Sequence, residues 1–251
     1  AEAARAMPAA DRNYNSIRSL GVDYGHLGLV LFEQMKLECV GCLEQALAIF
    51  EELRDSPSIA RAAGNIANVY LRIPELLDLD LAEKWLLTAI EHYGEDKMGR
   101  AKCIGQLAQV KCAQLDRLLE TGTDREAAQQ AWSAASALVS EMFRVLPDEA
   151  IRELAVTHDL AAHLYRTAGE TDLAMSHYQQ MIKLYEDLGQ PFMEGAVRLK
   201  AAQTLAQASR YDDAALFAEQ ATQDFEGSGA PEEQAVAQHL LDQIRAAKGQ
   251  R

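Results

Sequence analysis

The sequence predicts an all-α fold, a right-handed α-solenoid of about five helical hairpins closed by a C-terminal capping helix. Three observations carry this. A pattern of small and bulky apolar residues, clearest at His158-Asp-Leu-Ala-Ala-His-Leu-Tyr165 with Gly169, Ala174, Tyr178 and Ile182, recurs along the chain in degraded form. The composition is 49% apolar but only 6% aromatic and rich in Ala, Leu, Glu and Gln, residues that lose little side-chain entropy in a helix. A self-similar hairpin also buries its apolar face only by stacking on neighbours, so 251 residues of repeats predict one continuous array and not several cores.

Taken in order, residues 1–12 are expected to form an N-terminal linker, 13–230 the repeats, and 231–251 the capping helix and tail. Leu27, Gly28 and Leu31 followed by Ala46, Phe50 and Leu53 make the most degenerate unit, as expected for a repeat with one face in solvent. Ser56-Pro57 then places a capping hydroxyl before a Pro at the first helical position. Ala63, Ala67 and Tyr70 lead to Ala82, Leu86, Ala89 and Ile90. Ile104, Leu107 and Ala108 lead to Ala128, Trp132 and Ala135, with Thr123-Asp-Arg-Glu126 reading as a capping box.

Ala161, Ala162 and Tyr165 supply the first helix of the clearest unit, Gly169 suits its left-handed end, and Ala174, Tyr178, Met181 and Ile182 supply the second. Ala201, Ala202 and Leu205 precede Tyr211, Ala214, Ala218 and Ala221. After Gly227-Ser-Gly229, a last helix from Pro231 to about Ala247 carries Ala235, Val236, Leu240, Leu241 and Ile244 on one side. The second-helix alanines 46, 82, 128, 174 and 214 are separated by 36, 46, 46 and 40 residues. These spacings exceed the about 34 residues of a standard unit and predict lengthened helices over 97–121 and 124–146.

This pattern resembles the tetratricopeptide repeat over nearly the whole chain. More narrowly, Ala155-Val-Thr-His158, Tyr165, Ala168-Gly169, His177-Tyr178, Tyr185-Glu186, Ala201 to Ala208, Asp213-Ala214 and Asp224-Phe225-Glu226 resemble the C-terminal tetratricopeptide region of bacterial STAND (NACHT/NB-ARC-like) signalling NTPases. That resemblance implies a sensor or interaction arm of a larger protein. The chain has no Gly-x4-Gly-Lys-Ser/Thr segment, so nucleotide hydrolysis is not expected of it. Its start without Met and its end at Lys248-Gly-Gln-Arg251 suggest a region of a longer chain.

A formal charge of −14, from 24 Lys and Arg against 38 Asp and Glu, disfavours nucleic acid and anionic membranes as partners. No apolar run reaches the ~20 residues that span a bilayer, and Ala1 to Arg5 lacks a signal-peptide core. A cytoplasmic protein is expected, with Cys39, Cys42, Cys103 and Cys112 as reduced thiols.

The recognition residues are sought on the first helix of each hairpin, which in tetratricopeptide arrays lines the concave groove. Arg61, Asn65, Asn68 and Arg72 are spaced 4, 3 and 4 and share a stripe roughly 60° wide at 3.6 residues per turn. Lys102, Gln106 and Gln109 repeat the theme. Asp159, His163 and Arg166, then Lys200, Gln203 and Gln207, extend it. Amides pair with peptide backbone and Arg grips carboxylates, so the expected partner is a protein or peptide segment on the concave face. A small-molecule or signal-peptide receptor that regulates transcription is the alternative.

No catalysis, metal or cofactor is expected. Cys39-Val-Gly-Cys42 lacks a second ligand pair, and His158 and His163 are not at zinc-helix spacing. Acidic pairs such as Glu51-Glu52, Asp148-Glu149 and Glu232-Glu233 read as helix-end and solubility residues. Trp85 and Trp132 read as packing residues.

Overall fold

The computed structural model describes residues 9–122 and 124–249. Every regular element among them is helical: α1 (Ala9–Glu33), α2 (Cys39–Glu52), α3 (Ser56–Arg72), a 3-10 turn (Pro74–Leu76), α4 (Leu79–His92), α5 (Lys97–Thr121), α6 (Arg125–Val145), α7 (Ile151–Thr167), α8 (Thr171–Asp187), α9 (Pro191–Gln207), α10 (Tyr211–Ser228) and α11 (Pro231–Gly249). The all-α reading holds, and α5 and α6 are the lengthened pair that the repeat spacing predicts.

Packing is between neighbours in sequence. The helix pairs α1 with α2, α3 with α4, α7 with α8, and α9 with α10 make the closest associations, and α11 covers α10. The anchor alanines Ala46, Ala82, Ala174 and Ala214 are fully buried and Ala128 nearly so, because only a methyl group fits where two helix backbones approach. At Gly28 even that is excluded. A Cβ there would lie 2.7 Å from Leu43 Cγ, so the first hairpin closes because the position is Gly. Leu27 beside it is half exposed, and it is Leu31 and Tyr24 that pack on the core.

The chain divides into two compact units, Ala1–Leu138 and Val139–Arg251, where the repeat pattern predicts one continuous array. In a stack each helix touches only its neighbours, so few contacts cross any plane and a division is inexpensive. In the first unit Leu43, Phe50, Ile66 and Val69 form one apolar layer, and Ala67, Leu86, Cys103 and Leu107 the next. Trp85 packs against both. In the second unit Tyr178, Met181, Val197 and Leu205 join Leu241 and Ile244 of α11, while Phe225 packs with Ala221 and Ala237.

The helix ends refine the expected caps. Asp55, not Ser56, caps α3: its carboxylate accepts from the Ser58 backbone N–H, since Ser56 already lies in the helix with Pro57. Thr123 of the expected capping box lies outside the described residues, as do Ala1 to Pro8. Asp124 Oδ1 accepts from the Ala127 N–H at 2.8 Å and so holds the start of α6. Gly169 takes φ +79° after α7, as the left-handed helix end requires. Gly227 and Ser228, which precede the last helix in the sequence, belong to the helix before it. α10 runs through Ser228, and Gly229 ends it at φ +71°.

Candidate functional site: the polar faces of the first helices

In the first unit, the stripe begins at the cap of α3. Arg18 of α1 donates from Nε to Asp55 Oδ2 at 2.7 Å, the Ser58 hydroxyl donates to the same oxygen at 2.8 Å, and Arg61 Nη2 donates to Ser58 Oγ at 2.9 Å. Burial alone would raise the Asp55 carboxyl, but hydrogen bonds from Ser58 and Arg18 outweigh it and hold it below the usual carboxylate range. Arg61 is therefore partly spent on the helix start.

One turn on, Asn65 is half-buried and its side chain makes no hydrogen bond among the described residues. Asn68 Oδ1 accepts from Gln106 Nε2 of α5 at 2.7 Å. This contact joins two consecutive first helices through residues 38 apart in sequence. Arg72 is exposed, its guanidinium 5.7 Å from the centre of the Phe32 ring of α1, a distance at which a cation is attracted to the ring face. Lys102 and Gln109 are exposed on α5.

In the second unit the corresponding face is built from charges. Lys200 Nζ of α9 donates to both carboxylate oxygens of Asp159 on α7, at 2.7 and 2.9 Å. His163 Nδ1 and Arg166 Nη2 lie 3.1 Å apart on α7. Gln203 and Gln207 are exposed on α9. Side-chain bonds thus join α1 to the start of α3 and α3 to α5 in the first unit, and α7 to α9 in the second.

Two clusters in the second unit have no counterpart in the sequence reading. His158 Nδ1 meets not His163 but His177 Nδ1 of α8, at 2.9 Å. The Phe143 ring lies edge-on to His158 at 4.8 Å, and Tyr165 stacks on His177 at 5.5 Å. Burial, then the neighbouring His177, pushes His158 down to about 4, and burial lowers His177 as well. Arg198 of α9 is also surrounded, bonding Glu194 at 3.0 Å, Glu186 at 2.8 Å and Asp224. Each partner lies on a helix face whose register only the packing determines, except Glu194, whose four-residue spacing to Arg198 was legible.

Among the described residues, no group of three or more His, Cys, Asp or Glu is placed to hold a metal. Cys39, Cys103 and Cys112 are buried and none of the four cysteines is in a disulfide. Burial pushes the Cys103 thiol up to about 11, which removes it as a nucleophile near neutrality. No helix among the described residues is long and apolar enough to cross a membrane.

A cleft of about 320 Å³ in the second unit, between α8 and α10, is crossed by Arg210, which bonds Asp172 at 2.5 Å and Asp213 at 2.8 Å. A larger one, about 530 Å³, lies in the first unit among the start of α4, the distal half of α5 and the start of α6.

No protein family and no curated protein matches the sequence. Among solved structures, a Rap protein complexed with Competence and Sporulation Factor is 16% identical with a TM-score of 0.49, covering 95% of this chain, which spans 66% of the Rap chain. BtubC from P. vanneervenii is 12% identical over 97% of this chain and 93% of its own, TM-score 0.49. A Podospora anserina putative kinesin light chain with nearly identical TPR-like repeats is 21% identical over 95% of this chain and 97% of its own, TM-score 0.48.

Proposed function

We propose that this chain is a non-catalytic recognition scaffold that takes an extended protein or peptide segment across the first-helix face of α3 and α5. The amide pair Asn68–Gln106 carries this reading. One hydrogen bond between two amides leaves both Asn68 N–H donors and the Gln106 carbonyl lone pairs unspent. The Asn65 side chain, one turn before Asn68, makes no hydrogen bond among the described residues. An extended backbone presents alternating donors and acceptors, and a row of amides held in register by one another meets both. Arg72 at one end of the row supplies a cation for an acidic side chain.

Asp159, His163, Arg166, Lys200 and Gln203 form a second, weaker set in this reading, because Asp159 and Lys200 neutralise each other. The resemblance of residues 95–231 to STAND proteins supports the further proposal that the scaffold is the sensor or interaction arm of a larger bacterial signalling protein, working in the cytoplasm.

The test is affinity capture with the wild-type chain and with Asn65→Ala/Asn68→Ala, followed by mass spectrometry and circular dichroism. The variant is expected to keep its helical signal and to lose its partner, an affinity loss of about tenfold or more for two amides. An unchanged set of captured proteins sinks the assignment of this face.

A further inference from the structure

The cleft of about 530 Å³ in the first unit lies farther along α5 than the amide pair: Arg117, which lines it, follows Gln106 by eleven residues, about 16 Å along the helix axis. Its volume is in the range of about 300–1,000 Å³ typical of small-ligand sites. The reason for the opening is the lengthened hairpin. α5 runs to Thr121, and opposite its distal half α6 presents Ala127, Ala131 and Ala134, which are spaced 4 and 3 and share one helical face. Side chains of this size do not reach across to fill the space.

The polar groups around the cleft are nearly all committed. Lys111 Nζ donates to Glu83 Oε2 at 2.6 Å and to Gln114 Oε1 at 3.1 Å. The Gln114 amide donates to Asp80 at 3.2 Å and to Glu83 at 3.1 Å, so each carboxylate on this wall accepts a hydrogen bond and Glu83 is also paired with Lys111. Gln130 donates to Glu126 at 3.4 Å. Arg117 is the exception: it lines the cleft, is exposed, and makes no hydrogen bond or ion pair among the described residues. It lies nearly one turn beyond Gln114, toward the tip of the hairpin and away from Asp80.

From this geometry we infer a binding site for an apolar carboxylate: the acid group on the Arg117 guanidinium, the apolar part against Leu118, Ala127, Ala131 and Ala134. A guanidinium takes a carboxylate through two parallel hydrogen bonds, and the alanine floor offers apolar surface beside Gln130, whose amide is bonded to Glu126. A free carboxylic acid and the C-terminal residue of a peptide share this chemistry. The site goes beyond the peptide-scaffold reading and stands or falls without it.

The test is isothermal titration calorimetry on the whole chain with octanoate, with octanol, with a hexapeptide ending in a free Leu carboxylate, and with the same peptide amidated. Expected is binding of at least one carboxylate, with the matching alcohol or amide clearly weaker. Arg117→Gln should weaken that carboxylate about tenfold, and Ala131→Phe, which fills the floor, should abolish it. Octanoate alone assigns the site to free acids, and the free-terminus peptide alone to chain ends. Asn65→Ala/Asn68→Ala should bind as wild type does, which separates a failure here from a failure of the amide face. Silence from every carboxylate, or equal affinity in folded Arg117→Gln, overturns the site.

Discussion

The first helices α3 and α5 are bridged by an amide pair in the first unit, Asn68 with Gln106, and α7 and α9 by an ion pair in the second, Asp159 with Lys200. The residues of the two bridges are separated by similar stretches of sequence, 38 and 41 residues, yet they leave different surfaces behind. An amide pair spends a fraction of its hydrogen-bonding capacity and carries no charge to screen. A bidentate ion pair answers its own charge, and exposed as this one is, it is worth little to stability. The same architecture thus leaves amide capacity unspent at one bridge and charges paired at the other. The titrating groups differ likewise: the first unit holds a carboxyl lowered by its hydrogen bonds, Asp55, and the second a pair of histidines lowered by burial, His158 and His177.

The strongest way to break the comparison is through the cores. Phe225→Ala removes a side chain only 1% exposed and should cost about 3–5 kcal/mol, and Ile66→Ala, fully buried, about 2–5 kcal/mol. Hydrogen exchange should show lost protection in residues 139–249 for the first variant and within 13–138 for the second. Protection lost evenly across both units in either variant would mean that they do not unfold separately.

Acid should separate the units next. The histidine pair favours its neutral form in the folded state, so its contribution is complete above the unfolded value of 6.5 and is lost as pH falls from there toward about 4. Asp55 is lowered as well, but a lowered carboxyl favours its charged form. Its contribution is present above the ordinary 3.8 and is lost only as pH falls through its lower folded value. A pH series of hydrogen exchange should therefore show the second unit weakening first. Because burial raises the Asp224 carboxyl in the same unit, the decisive quantity is the difference between wild type and His158→Phe, which should shrink as pH drops below 6.5. A constant difference across pH 4–7 would remove the histidines as its cause.

The smallest expected effect sharpens the contrast between the bridges. Asp159→Ala should change stability by less than about 1 kcal/mol and leave partner binding intact, in contrast to Asn65→Ala/Asn68→Ala. Chemical denaturation and the capture assay together read this. A loss of binding as large as that of the amide variant would move the recognition surface to the second unit.

What could be read without coordinates was whatever a single helix decides. The periodicity of small residues placed Ala46, Ala82, Ala174 and Ala214 in helix contacts, and all four are fully buried. Intervals longer than the standard repeat announced the extended α5 and α6. The stripes Arg61 to Arg72 and Lys102 to Gln109 follow from 3.6 residues per turn alone. Caps were legible less sharply, since Asp55 and Ser56 both suit the role and differ by one residue in register.

The sequence by itself determined the helices, their order and most of each apolar side, because these depend on residues within about four positions of one another; Val236, expected on the packed side of α11, is 55% exposed, and Ala237 is buried in its place. Tertiary structure alone decided the pairings. Asn68 finds Gln106, His158 finds His177 and not His163, and Arg198 gathers Asp224 and Glu186 because separate helices slide and rotate to a register set by their buried faces. The same packing leaves Arg117 beside an unfilled cleft. Distances between helices are a sum over many small contacts, and no local pattern encodes that sum.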